Sequence, residues 1–129
     1  MPKTISQTIS INASPKEVYE ALMNSKKHAE FTGDDAQISP EVRGKFTCYG
    51  DYIEGENIEL EQDKKIVQKW RSPDWPKNHY STATFELEPD GDNTKLVFTQ
   101  VNVPDDKCDS ISQGWHDHYW DKLNDYFAK

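Results

Sequence analysis

An α+β fold, a curved antiparallel sheet wrapped around one long C-terminal helix, is what this chain of 129 residues predicts. Three observations lead there. A half-buried strand opens the chain and is followed at once by helix-start signals. The middle is a run of period-two segments broken by Gly, Pro, Asn and Asp. The last segment, "DSISQGWHDHYWDKLNDYFAK", repeats apolar residues at helical spacing. A sheet has to bury one face, and only this last helix is long and apolar enough to cover it.

The elements follow in order. "TISQTISIN" sets Ile5, Gln7, Ile9 and Ile11 against Thr4, Ser6, Thr8 and Ser10, the period of a strand with one buried face. "SPKEVYEALMN" starts a helix: Ser14 caps it, Pro15 suits its first position, and Glu17 stands where a capping box needs an acid. Val18, Ala21 and Leu22 form its inner stripe. "SKKHAEF" at 25–31 predicts a second short helix, ended by Gly33. Strands are expected near 44–49, 51–61, 64–71, 79–88 and 94–103, with a short one at 36–39. "PDGDN" is dense in turn formers and predicts a hairpin between the last two strands. In the closing helix, Ile111, Trp115, Tyr119, Leu123 and Phe127 make a stripe that Trp120 and Tyr126 broaden. No linker, repeat or low-complexity tract divides residues 1–129, which read as a single domain.

Charge excludes some functions. Net charge is -8, and residues 30–63 hold ten acids against Arg43 and Lys45, so this one span carries the whole imbalance. Such a chain repels phosphate backbones and anionic headgroups, which argues against nucleic acid and membrane partners. The acids Glu54, Glu56, Glu59 and Glu61 form either a solvated face or a surface for a basic partner. "MPKTISQTIS" lacks the apolar run of a signal peptide, no later run could span a bilayer, and Cys48 and Cys108 are far apart. The reading is a cytoplasmic protein.

Chemistry finds little to use. His116 and His118 lie two apart on a helix and point roughly opposite ways, so they cannot grip one metal ion. His116 falls in the aromatic stripe, as a hydrogen-bonded residue at the core edge. No nucleophile elbow, phosphate-cradling loop or CxxC is present, and no carboxylate pair is set in an apolar pocket. Cys48, inside a strand, reads as a small core residue. The expectation is a non-enzyme with no catalytic residue, metal or cofactor. Aromatic residues are the remaining candidates. Small Ser81 and Ala83 oppose bulky Trp115 and Tyr119, which means tight interdigitation or a cavity lined also by Phe85 and Phe98, with His79 or His116 as polar groups. Trp70 should pack on its strand. Trp75, between Asp74 and Pro76 in "SPDWPKN", either folds back as a lid or stands out as an aromatic anchor for a partner.

The stretch "GKFTCYGDYIEGENIELEQDKKIVQKWRSPDWPKNHYSTATFEL", with "NTKLVFTQVNVP" and "QGWHDHYWDKL", resembles the C-terminal domain of the activator of the heat-shock protein 90 ATPase. The likeness is densest at "KWR", "DWP", "HYST", "VP" at 103–104 and "GW" at 114–115. It departs at Arg43–Gly44, where that family commonly has a Gly pair. The resemblance implies the helix-grip, START-like fold and two functions. One is a co-chaperone module that binds heat-shock protein 90 and modulates its ATPase, although residues 1–129 hold no counterpart of the family's N-terminal domain. The other is a carrier or sensor with a small apolar ligand beneath the helix.

Overall fold

The computed structural model describes residues 3–32, 36–38, 41–48, 53–71, 75 and 79–127. Strand β1 (Lys3–Ile11) leads into helices α1 (Pro15–Met23) and α2 (Ser25–Thr32). Then come β2 (Ala36–Ile38), β3 (Lys45–Cys48), β4 (Ile53–Glu61), β5 (Lys65–Arg71), β6 (Ser81–Asp90) and β7 (Asn93–Val103). The chain closes with a 3-10 turn, α3 (Cys108–Trp115), a π turn (His116–Trp120) and α4 (Asp121–Phe127). All described strand pairs are antiparallel, in the order β1-β7-β6-β5-β4-β3-β2.

The helix-start signals act as expected. Ser14 Oγ accepts the Glu17 N–H at 3.3 Å and donates to the Glu17 carboxylate at 3.1 Å. The β6–β7 hairpin closes at Asp90 opposite Asn93, with Gly91 at a φ of 63° that L side chains rarely adopt. Residues 39, 49, 51 and 52 of the expected strands, and Gly33, lie outside the described residues, as do the side chains of Cys48 and His118.

Cross-strand register stacks the inward residues in rows. Ile66, Phe85, Phe98 and Gln7 form one; Gln68, Ala83, Gln100 and Ile5 form the next. Phe46, Gly55 and Trp70 form a third. Gly55 is required there, because a Cβ would run into the Phe46 ring and the Lys69 carbonyl oxygen.

The closing helix departs from a continuous α-helix. The π turn inserts one extra residue, so Trp115 and Trp120, five apart, fall in line; their rings stack 5.5 Å apart at 19°. In an unbroken α-helix five residues span 500°, which would aim Trp120 well away from Trp115. Trp115, Tyr119, Trp120 and Leu123 are all buried against the sheet and α2. His116 is pushed to the exposed side, which corrects its expected place at the core edge.

Candidate functional site

The space between helix and sheet is where a ligand was expected, and aromatic rings fill it. Trp115 lies 4.3 Å from Phe98, 5.5 Å from Trp70 and 5.7 Å from Phe85, centroid to centroid. Ser81 and Ala83 are fully buried beneath them, which is the interdigitated alternative. Among the described residues, the space left there is a cavity of about 10 Å³, lined by Leu22, His28, Gln68, Trp70, Phe85 and Tyr119 among others. That is space for about one water molecule, far below the roughly 300–1,000 Å³ of ordinary ligand pockets.

Of the expected lining, Phe85, Trp115 and Tyr119 border this cavity. Ser81, Ala83 and Phe98 are buried in the packed rows beside it. His79 is half-buried at the sheet's end, its Nε2 2.8 Å from the Asn102 carbonyl oxygen, and His116 is exposed. Neither histidine is brought to the cavity, so both leave the expected set.

Sequence reasoning missed the polar members of this core. Gln100 is fully buried; its amide donates to Ser81 Oγ at 2.8 Å and its carbonyl accepts the Trp115 indole N–H at 2.8 Å. Ser81 Oγ in turn donates to the Trp70 carbonyl at 2.8 Å. Gln7 accepts the Trp120 indole N–H at 2.7 Å and donates to Ser112 at 3.0 Å. Gln68 donates to buried Asn57 at 3.1 Å. Each glutamine stands in phase with apolar neighbours, Gln100 with Leu96 and Phe98, and Gln68 with Ile66 and Trp70, and that phase was the available signal.

His28 was also unmarked. It is 2% exposed, with its Nε2 3.0 Å from the Tyr119 hydroxyl and Phe31 packed 4.9 Å away. Burial drives its pKa down to about 4, so the ring is neutral near pH 7. Among the described residues no group of three metal-ligating side chains occurs, and no helix is long and apolar enough to cross a membrane.

The proposed partner residues divide. Trp75 is 4% exposed, packed 5.4 Å from Trp70 and 5.8 Å from His79, with its carbonyl held by Arg71 at 3.0 Å. It folds back over the sheet's end and is not an exposed anchor. The acids of β4 face bases of β5: Glu54 pairs with Arg71 at 3.4 Å and Glu59 with Lys65 at 3.1 Å, while Glu56 lies opposite Lys69 and Glu61 opposite Lys65. The four acids of β4 thus meet three bases across the hairpin, and two of them are ion-paired.

Comparison with known proteins adds a family. The model described as "Activator of Hsp90 ATPase homolog 1-like protein" matches residues 12–128. A Dictyostelium discoideum protein named an activator of the 90 kDa heat shock protein ATPase is 32% identical over 127 residues, covering 98% of this chain and 33% of that protein. The human homolog 1 of the same activator is 28% identical over 115 residues, covering 89% of this chain and 34% of its own. The chain thus spans about a third of the length of the curated relatives it matches. A crystal structure of a Plasmodium falciparum heat-shock protein 90 activator superposes with a TM-score of 0.91 at 25% identity, covering 97% of this chain and 96% of that one.

Proposed function

The chain belongs to the family of activator of Hsp90 ATPase homolog 1-like proteins, and from that premise we propose that it is a non-catalytic co-chaperone module that binds heat-shock protein 90 and modulates its ATPase. The observation that carries this reading over the carrier alternative is the core itself. A carrier needs room, and a cavity of about 10 Å³ holds no apolar molecule larger than water. A solid, polar-pinned core suits a domain that works through its surface. The family match supports the chaperone as partner.

The test is calorimetric binding to full-length heat-shock protein 90, with the chaperone's ATP turnover measured alongside. Saturable binding with a changed turnover is expected. No binding at low salt, together with stoichiometric uptake of an apolar fluorescent probe, would replace this reading with the ligand carrier.

A further inference from the structure

The two edges of the sheet differ. On one side β2 ends it with three residues, Ala36–Ile38, and so short an edge recruits no further strand. On the other β1 ends it with nine, Lys3–Ile11, and among the described residues no strand lies on its outer side. An edge of that length ordinarily carries a lysine, a proline or a bulge to keep other chains away. Here a register shift sits only between Lys3 and Ile5, at the strand's start. From Thr4 to Ile11 no residue is charged, in a chain that is 29% charged.

Alternate residues of an antiparallel edge strand turn both N–H and C=O outward. Asn124 marks which: its side chain donates to the Ser10 carbonyl at 3.2 Å and accepts the Asn12 N–H at 3.2 Å. The even-numbered residues thus face the open edge. The hairpin agrees, because Asp90 opposite Asn93 at the turn leaves Leu96, Phe98 and Gln100 to bond Ile9, Gln7 and Ile5. Thr4, Ser6 and Thr8 are exposed, and among the described residues nothing bonds their outward backbone groups. The closing helix keeps its rings inboard of this edge, on Phe98, Phe85 and Trp70 of β7, β6 and β5.

The strand is also complementary to itself. Turned end for end about Gln7, "TISQTIS" sets Ile5 opposite Ile9, Ser6 opposite Thr8 and Thr4 opposite Ser10. Outward residues then meet outward residues, as a hydrogen-bonded antiparallel pair requires. Isoleucines meet on the face that holds the helix, and hydroxyls meet on the other. Ile9, half-buried in the single chain, gains a cover.

We propose that β1 is an interface between copies of this chain: two β1 strands pair antiparallel about a two-fold axis at Gln7 and join two sheets into one. The same surface meets itself, as in any two-fold dimer. The length from Thr4 to Ser10 is about 20 Å. Pairing over that length buries much less than the roughly 1,200 Å² of a stable interface, so the dimer is weak and depends on concentration. Asn124 sets its end, since it already holds the Ser10 carbonyl.

The experiment is sedimentation velocity on the full chain at about 10 and about 500 μM, a range suited to a weak interface, with amide exchange by NMR at both. The average mass should rise toward the dimer. Exchange at the Ser6 and Thr8 N–H groups should slow at least threefold at the higher concentration, while Ile5, Gln7 and Ile9, bonded to β7, stay unchanged. The double variant Ser6→Lys, Thr8→Lys sets like charges opposite each other across the axis and should stay monomeric, with an unchanged circular dichroism spectrum. Thr84→Lys, on the same outward face but two strands in from β1, should dimerise like the parent. A parent monomeric at both concentrations, a dimer kept by the double variant, or one lost in Thr84→Lys overturns the pairing. So does a parent that stays monomeric while an added peptide of residues 4–11 protects Ser6 and Thr8, which gives the edge to a foreign strand.

Discussion

Gln100→Leu isolates how the helix is fixed to the sheet. Gln100 accepts the indole N–H of Trp115, which is 3% exposed, and donates to Ser81 Oγ. Leucine nearly matches the volume, so the cavity contribution is small. The cost is the orphaned indole donor, about 1–3 kcal/mol for a buried group left unpaired. Ser81 keeps its bond to the Trp70 carbonyl and loses less. A net loss of about 2 kcal/mol is expected. Trp115→Phe orphans the Gln100 carbonyl instead and removes ring volume, for about 2–4 kcal/mol. Both changes together remove donor and acceptor at once, so the double variant should be less destabilised than the sum by about 1–2 kcal/mol. Urea unfolding followed by circular dichroism measures all four proteins, with similar m-values as the check that two-state comparison holds. Additivity within about 0.5 kcal/mol would show that the bond does not couple helix to sheet, and would refute the pinning argument.

Other perturbations follow from the same core. Trp115→Ala should cost about 3–5 kcal/mol, and a loss below about 1 kcal/mol in chemical denaturation would mean the ring is not packed. His28 binds its proton near pH 6.5 when unfolded and near 4 when folded, so the unfolded state holds more protons between those values. Stability should therefore fall by about 3 kcal/mol as pH drops through that window, and His28→Gln should flatten this part of the profile; an unchanged profile would contradict the buried neutral ring. Gly55→Ala puts a methyl group against the Lys69 carbonyl and the Phe46 ring and should cost about 1–3 kcal/mol in thermal unfolding, with no loss counting against the close approach. Glu59→Lys should change stability by less than about 1 kcal/mol, since its exposed pair with Lys65 is screened.

Local rules made much of the fold legible. Ser14 and Glu17 announced α1, the glycine of "PDGDN" announced the β6–β7 turn, and period-two alternation placed Ser81, Ala83, Phe85 and Leu87 on the buried face of β6. What stayed hidden depends on neighbours far along the chain. The charge of Glu54 and Glu59 was visible, but their neutralisation by Arg71 and Lys65 needs strand register. Trp75 read as a loop residue, and only the approach of Trp70 buries it. Gln7 fell in phase with the isoleucines of β1, but its role and that of Gln100 stay hidden until the indole donors of Trp120 and Trp115 are above the sheet. The cavity closed for the same reason, because ring placement decides its volume and the helical spacing of the apolar stripe does not encode a π turn.

That turn divides the closing helix into two halves with separate angular settings. The first is keyed to β1 and β7, through Gln7 on Ser112 and Gln100 on Trp115. The second is keyed mainly to α2, through Lys122 on the Thr32 carbonyl and Tyr126 on Glu30. The inserted residue works as a phase adjuster between them, like an extra tooth between two gears. Rewinding residues 116–120 as an unbroken α-helix, with no residue removed, would rotate everything after them by about 100°. Leu123 would then leave the core and Trp120 would no longer stack on Trp115, although no buried side chain had been replaced. The hydrogen-bond pattern at this point is thus as constrained as residue type in the core.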